Sequence, residues 1–471
     1  MYASLRWILP ALLLTLAACD SISTVDDDGG DASIALTALT CDVDGVNADP
    51  FTAADALAEN AADHEVATDY TYDAATATTV ALNGTSATVT GSGATASGCI
   101  VTVSAPGTYV VSGTLSDGQI VVDSPDHGAV KLVLDGATIT SSTDSGIRVD
   151  EGDKTVLILA VGATNAVTGG TLALRSGGGA SVTPGDASTK GFKAGVMAGV
   201  DDGALAIDAS DDGVHSDGTV VVNGGTVEIA TADAAVHSEL DLTINGGEIL
   251  VTRSYEGIEA VLGDLVVNGG TVDVTATDDG FNLSGDGDDP GGVESEGDPY
   301  DMVFKGGRIT VASGNDSIDS AGPIVMTGGC LAIDGPTPGT QPEQGAIDYN
   351  GDFEITGGVL VAAGAAGRMA QTPSAYSSQP TVAVTFSSSQ AAGTVISLQD
   401  SGSALAMAPG KAFQSFVVSA PWLSTGDTVT LYRGGTVSGG STSGLFDGGT
   451  VSRATLLESA TLSSIITAIT S

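Results

Sequence analysis

The chain has 471 residues, of which 58 are Asp or Glu and 14 are Lys or Arg, giving a formal net charge of −44. That balance excludes nucleic acid as a partner, because a phosphate backbone needs a basic footprint; it invites divalent cations, which neutralise clustered carboxylates. Aromatic residues are only 4% of the chain while Gly numbers 66, a composition that argues for a thin-cored, stacked architecture and against one large globular core.

Arg6 is followed by an apolar run from Trp7 to Leu16 and then by Leu16-Ala17-Ala18-Cys19. A short apolar segment ending in small residues reads as an export signal over 1–18, too short to cross a bilayer as a mature helix. The Cys directly after Leu-Ala-Ala fits a lipoprotein box, so Cys19 is expected to be acylated and the protein held in the cell envelope by its lipid. Residues 19–50, with Asp26-Asp27-Asp28-Gly29-Gly30, read as a solvated tether, and 51–64 as a short helical cap. An exported setting permits disulfides, with Cys41–Cys99 one option and Cys330 the third cysteine left after Cys19. No Cys/His cluster suggests zinc.

From Thr79 onward the pattern is short β-rich runs separated by Gly, Asn and Asp, and within it lies a repeat of about 22 residues. DDGVHSDGTVVVNGGTVEIATA (211–232) is followed by DAAVHSELDLTINGGEILVTRS (233–254), and further copies start at 255, 278, 315 and 344, with a degenerate one at 189. Each copy offers three extended pieces. A small-residue corner leads to one apolar position (Phe192, Val214, Val236, Ile258, Phe281, Ile318, Ile347), a second piece ends in Asn/Thr-Gly-Gly, and a third alternates, as in Thr226-Val227-Glu228-Ile229. One such copy cannot bury its apolar face alone, whereas copies stacked about 4.8 Å apart pair every strand above and below. The expected fold is therefore all-β: a right-handed parallel β-helix over 65–365 with three strands per turn, a β-rich C-terminal cap over 366–440, and a tail over 441–471.

Equal positions in stacked copies form columns. The residue after the inward apolar position is expected to face outward, giving a polar stripe of Lys193, His215, His237, Glu259, Asn282, Asp319 and Asp348 on which a polysaccharide can lie. The corner positions form a second column, Asp211-Asp212, Asp233, Glu256, Asp278-Asp279 and Asn315-Asp316. Carboxylates at this spacing repel one another unless a cation intervenes, so Asp211, Asp212, Asp233, Asp278, Asp279 and Asp316 are the candidate Ca²⁺ ligands. The insertion Gly285–Glu296 is another acidic cluster without EF-hand spacing.

No catalytic residue is assigned. A lyase needs a base beside Ca²⁺, and Lys190, Lys193, Arg253 and Arg308 are the candidates; glycosidase chemistry needs one defined carboxylate pair, and here the acids are too many to nominate it. The favoured reading is non-catalytic, calcium-assisted polysaccharide binding by a monomeric, lipid-anchored envelope protein. The competing ones are a structural surface protein or adhesin using the stack as a spacer, and a polysaccharide lyase.

The words SYEGIE (254–259), TKGFKA (189–194), DDGVHS (211–216), AIDYNGDFEITGGVLVAAG (346–364) and SGTLSDGQIVVD (112–123) closely resemble a family of bacterial extracellular carbohydrate-binding β-helix proteins, of the type that binds cellulose and polygalacturonate. The likeness runs from Ala61-Ala62-Asp63-His64 to 413–435. It implies a right-handed parallel β-helix similar to pectate lyases, with calcium at the corners and no catalysis, the family's DDG-type corners falling on Asp211, Asp212, Asp278, Asp279 and Asp316. The chain departs from that pattern between Asn165 and Thr189, where several turns of the stack look absent, and at 233–235, where DAA replaces DDG.

Overall fold

The computed structural model describes residues 32–41, 71–142, 146–152, 154–160, 163, 165–168, 190–194, 197–200, 204–285, 299–340, 344–367, 370–442 and 444–471. The export signal, Cys19, the 51–64 cap and all of the acidic insertion but Gly285 lie outside these residues. Among them the chain is all-β with no helix, and its sheets are mixed, parallel through the middle and largely antiparallel at the C-terminal end.

The parallel pairing follows the repeat. Met197–Val200, Thr219–Val222, Leu242–Ile244, Leu265–Val267, Met302–Phe304, Ile324–Met326 and Phe353–Ile355 pair in that order, each one copy further along the chain. The first pieces align the same way, so that Phe192, Val214, Val236, Ile258, Phe281, Ile318 and Ile347 become cross-strand neighbours. Like therefore sits on like. From Val214 to Ile347 this column is buried and shares one continuous core with Val227, Ile229, Leu242, Phe304 and Phe353. At the Asn-Gly-Gly turns, Asn245 donates to Asn223 at 2.8 Å and Asn268 to Asn245 at 2.7 Å, an amide ladder that only an in-register stack can build. The second glycine of each pair, for instance Gly247 and Gly270, has a φ of 84° and 90°, which a side chain would strain.

Three expectations for the flanks need correction. Residues 32–41, expected as tether, include a strand, Ala32–Ala35, that pairs antiparallel with Leu445–Thr461. The cause is the alternating apolar pair Ile34 and Leu36, both buried against Val395, Ala404, Ala406 and Val451, which the acidic flanks concealed. Residues 441–471 are not a tail: Leu445–Thr461 and Ile466–Thr470 complete the cap sheets, the latter parallel to Thr381–Gln390. Finally, Cys41 bonds Cys330 across 289 residues of sequence and Cys99 is free. Cys330 lies on the third-piece strand Cys330–Asp334, next to Val359–Gly364, and the last parallel strand is in turn covered antiparallel by Phe413–Ser419. The segment before the fold is thus clamped to its C-terminal end.

Reinforcement comes from Arg308, whose guanidinium pairs with Asp447 at 3.3 Å while Asp447 also accepts the Leu39 amide at 2.8 Å. Replacing Cys41 with Ser, which leaves the buried Cys330 side chain in place, is expected to lower stability by about 2–4 kcal/mol in denaturant titrations. An unchanged transition with and without reductant would show that the clamp contributes nothing.

Candidate metal centre

Each first-piece strand presents, just before its buried apolar residue, the corner dipeptide, and the parallel register sorts these into two columns. Backbone bonds run from Asp233 to Asp211 (2.9 Å), from Asp278 to Tyr255 (2.9 Å) and from Asn315 to Asp278 (3.2 Å), which fixes an outer column of Asp211, Asp233, Tyr255, Asp278 and Asn315. The inner column is Asp212, Ala234, Glu256, Asp279 and Asp316, set by Gly213 donating to Ala234, Gly257 to Asp279 and Gly280 to Asp316. A third column, Lys193, His215, His237, Glu259, Asn282, Asp319 and Asp348, stands in the register that the spacing predicts, though for Lys193 only the backbone is described.

The stripe expected to face outward is recessed. His215 is 5% exposed, and His237, Glu259, Asn282, Asp319 and Asp348 are half-buried. It also merges with the corner, because ligand atoms of Asp279, Asp316 and Asp319 lie within 4.8 Å of one another, as do those of Asp212, His215 and His237. Short strands ending at a tight corner bring positions two or three apart onto one edge, so an assignment of one column to metal and another to sugar is too sharp. Ala234, lacking a carboxylate in the inner column, splits the seam into two clusters of different character.

The first cluster carries its own cations. The Lys190 ammonium donates to Asp211 at 3.2 Å and to Asp212. His215 holds Asp212 at 2.7 Å and Asp217 at 2.9 Å; His237 holds Glu259 at 2.7 Å and Glu239 at 3.4 Å. The two imidazoles stack with centroids 4.7 Å apart and planes 4° from parallel. Burial works against charge on Asp212, but the bonds from His215 and Lys190 outweigh it and hold its carboxyl below the ordinary range. Burial likewise opposes protonation of Lys190, and its two carboxylates overcome this and raise it. His237 is raised for the same reason by Glu259. Asp233, exposed, completes this group and is pushed up by desolvation and by Asp212 and Asp211.

The second cluster has no such compensation. It comprises Glu256, Asp278, Asp279, Asp316 and Asp319, two overlapping groups whose oxygens lie within 4.8 Å. No Lys, Arg or His among the described residues forms an ion pair with any of the five. Burial, followed by the charge of Asp278 and Glu259, pushes Glu256 up to about 8; burial, and then Asp319 and Asp348, pushes Asp316 up to about 7 against the pull of the Gly345 amide. Asp279 is raised by desolvation and then by the charge of Asp319 and Glu256, whereas Asp319 is raised by desolvation and by Asp348 against the pull of its hydrogen bond with Asp279. Asp279 Oδ1, Glu256 Oε2 and the neighbouring Asn315 Oδ1 are buried without any hydrogen-bond partner. Orphaned buried oxygens of this kind are expensive, on the order of 1–3 kcal/mol each, and a hard cation is the partner that satisfies several at once. The donor set fits Ca²⁺. At the Lys190 cluster the ammonium already supplies that charge.

Two side chains that sequence reasoning did not assign to the site belong to it. Glu256 appears in the corner column by spacing but was not among the six candidate ligands. Tyr255 occupies the outer-column place of Asp233 and Asp278; it is 53% exposed and its phenol donates to Asp278, whose charge pushes that phenol up to about 12. Aligning the copies from their first corner residue is enough to find both.

The folded chain binds the Glu256 and Asp316 protons more tightly than the unfolded chain, whose carboxyls keep ordinary values near 4.5 and 3.8. The stability that these two protons contribute to the metal-free protein is therefore full below those ordinary values and is lost as pH rises through about 7 to 8. In chelator, Tm is expected to fall across that window, and Asp279→Asn or Glu256→Gln to flatten the fall. A pH-independent Tm in chelator, measured by calorimetry, would contradict the assignment.

The profile of the carbohydrate-binding domain-containing protein family matches residues 97–171, 166–235 and 230–442. A carbohydrate-binding domain-containing protein of Acetivibrio thermocellus is 40% identical over 68 residues, 14% of this chain and 24% of that protein, so the alignment spans about a quarter of the relative's length. Among solved structures, a polysaccharide lyase-like protein from C. thermocellum, crystallised as a gadolinium derivative, aligns with 63% of this chain and 100% of its own at 19% identity and a TM-score of 0.32. The profile covers the paired copies, both acidic clusters and most of the cap, and the chain belongs to the carbohydrate-binding domain-containing protein family.

Proposed function

We propose that this protein binds polysaccharide without turning it over, through Ca²⁺ held by Glu256, Asp278, Asp279, Asp316 and Asp319, on a right-handed parallel β-helix anchored to the envelope by the lipid on Cys19. The observation that carries the reading is the set of buried, unpartnered oxygens at that corner in a chain of a carbohydrate-binding family. Parallel pairing of successive copies supports the β-helix, and right-handed crossovers are the strong default for parallel strands. A protein of net charge −44 attracts an acidic glycan only where a cation intervenes, since bare carboxylates on both sides repel.

The calcium supplies charge neutralisation and open coordination positions; the chain supplies the rest. Asp279 and Asp316, both buried, and Glu256, Asp278 and Asp319, half-buried beside them, are the residues that would hold the cation. Asn282 and Ser284, which donate to Glu259 at 3.4 and 3.1 Å, hold the adjoining edge of the column in place.

Two of the four candidate bases are already engaged elsewhere. Lys190 is raised and kept protonated by Asp211 and Asp212, so it does not accept a proton near neutrality. Arg308 points to the cap and pairs with Asp447. A binder needs neither.

The test is a pull-down of purified protein on insoluble polygalacturonate and on cellulose, in Ca²⁺ and in chelator. Retention in Ca²⁺ that chelator abolishes, without release of unsaturated uronates absorbing in the ultraviolet, is the expected result. Absence of binding to either polymer would favour a spacer or adhesin, and unsaturated products would favour a lyase.

A further inference from the structure

We infer that Tyr255 is the sugar-contacting platform of the acidic corner, the residue on which a saccharide ring rests while its acidic group completes the coordination of the cation below. The inference rests on the calcium-assisted binding reading and adds to it a side chain and a binding mode, in which one sugar residue presents both an apolar C–H face and a carboxylate.

The outer corner column is acidic or amide at Asp211, Asp233, Asp278 and Asn315, and Tyr255 interrupts it. The chain has nine Tyr in 471 residues, and of the large apolar or aromatic side chains exposed among the described residues only Tyr72, Tyr255 and Tyr376 are aromatic. Tyr255 alone of these three touches the cluster. Its neighbour Glu256 and its cross-strand neighbour Asp278 are both cluster members, and Asp279 follows Asp278.

The geometry explains how an exposed ring is held in place. Asp278 donates its amide to the Tyr255 carbonyl at 2.9 Å, which fixes the backbone from which the ring projects. A ring with only two side-chain torsions, carried on a fixed strand, loses little entropy on meeting a ligand, the condition under which aromatic contacts bind well. The second observation pointing to a ligand is independent of the ring. Asp279 is 6% exposed and its Oδ1 has no partner, so the corner beside Tyr255 is built to take a positive group. An apolar face and a cation side by side match a uronate, whose ring carries axial C–H groups and a carboxylate a few ångströms apart. A neutral β-linked glucan would use the ring and leave the cation's open positions to water.

The opposite end of the seam shows what a site without a platform looks like. There the outer column gives Asp211 and Asp233, the cation is the Lys190 ammonium, and among the described residues no exposed Tyr, Phe or Trp stands beside them. The corner at Tyr255 is therefore the one place along the described seam where apolar and cation-binding chemistry coincide.

The experiment compares wild type with Tyr255→Phe and Tyr255→Ala for binding to polygalacturonate in Ca²⁺, with Eu³⁺ emission lifetimes reporting occupancy of the cation site without needing an aromatic sensitiser. Tyr255→Phe is expected to bind within about twofold of wild type, and Tyr255→Ala about tenfold more weakly, with Eu³⁺ occupancy unchanged in both. In wild type, excitation of the tyrosines should sensitise Tb³⁺ emission, and Tyr255→Ala should lose most of it. Wild-type-like glycan binding by Tyr255→Ala with the lanthanide bound would overturn the platform while leaving calcium-assisted binding standing. Failure of the wild type itself to bind, with Eu³⁺ held, would overturn the binding reading and the platform together.

Discussion

Parallel, in-register pairing of successive copies is the constraint from which the other features follow. Because a strand in such a stack meets the same position of the next copy, each residue choice is multiplied along the sheet. For apolar residues the multiplication is favourable: the column from Val214 to Ile347 forms a continuous core with almost no need of large aromatic side chains. Amides profit as well, since each can donate upward and accept from below, as the Asn223–Asn245–Asn268 ladder does. Carboxylates are the exception. Stacked at the same spacing and partly desolvated, they raise one another's proton affinity, and a fold that repeats Asp at a corner builds a site whose charge must be neutralised from outside the column.

The chain meets that requirement in two ways along one seam. Near its start a lysine and two histidines do so, and Asp212 is consequently held ionised. Further on, no cationic side chain among the described residues is recruited; burial and neighbouring charge raise the acids' proton affinity instead, and oxygens are left over. Ala234 separates the two regimes by breaking the inner column. A single substitution in the repeat thus divides one electrostatic ladder into a self-satisfied half and a half left without its own cations among the described residues, and the exposed tyrosine falls in the second.

Much of this was legible in the sequence because repeats report register directly. The spacing of the copies placed all seven apolar positions and all seven polar ones in their observed columns, since one parallel register suits every copy at once. Three features were not legible. The recess of His215 and Asp319 depends on how the corner folds, which spacing alone does not encode. Ile34 and Leu36 lie in so short and acid-flanked a segment that their alternation looks like noise until Val451 and Ala404 are seen against them. The Cys41–Cys330 bridge joins residues 289 apart, a contact set by the cap's return path and by no local pattern.

The clamp bears on how the corner could work at a surface. The N-terminal segment, the part a lipid on Cys19 would pull, is fastened by the disulfide, by Arg308–Asp447 and by its pairing with Leu445–Thr461, all at the end where the stack is capped. Tension entering there would be borne by a covalent bond and an antiparallel sheet, whose hydrogen bonds would share the load. None of these fastenings is made to the short three-residue strands such as Val214–Ser216 and Phe281–Leu283, which carry the acidic seam. A site assembled from strands so short would keep its geometry only if they were not strained, and fastening the chain at its cap would spare them.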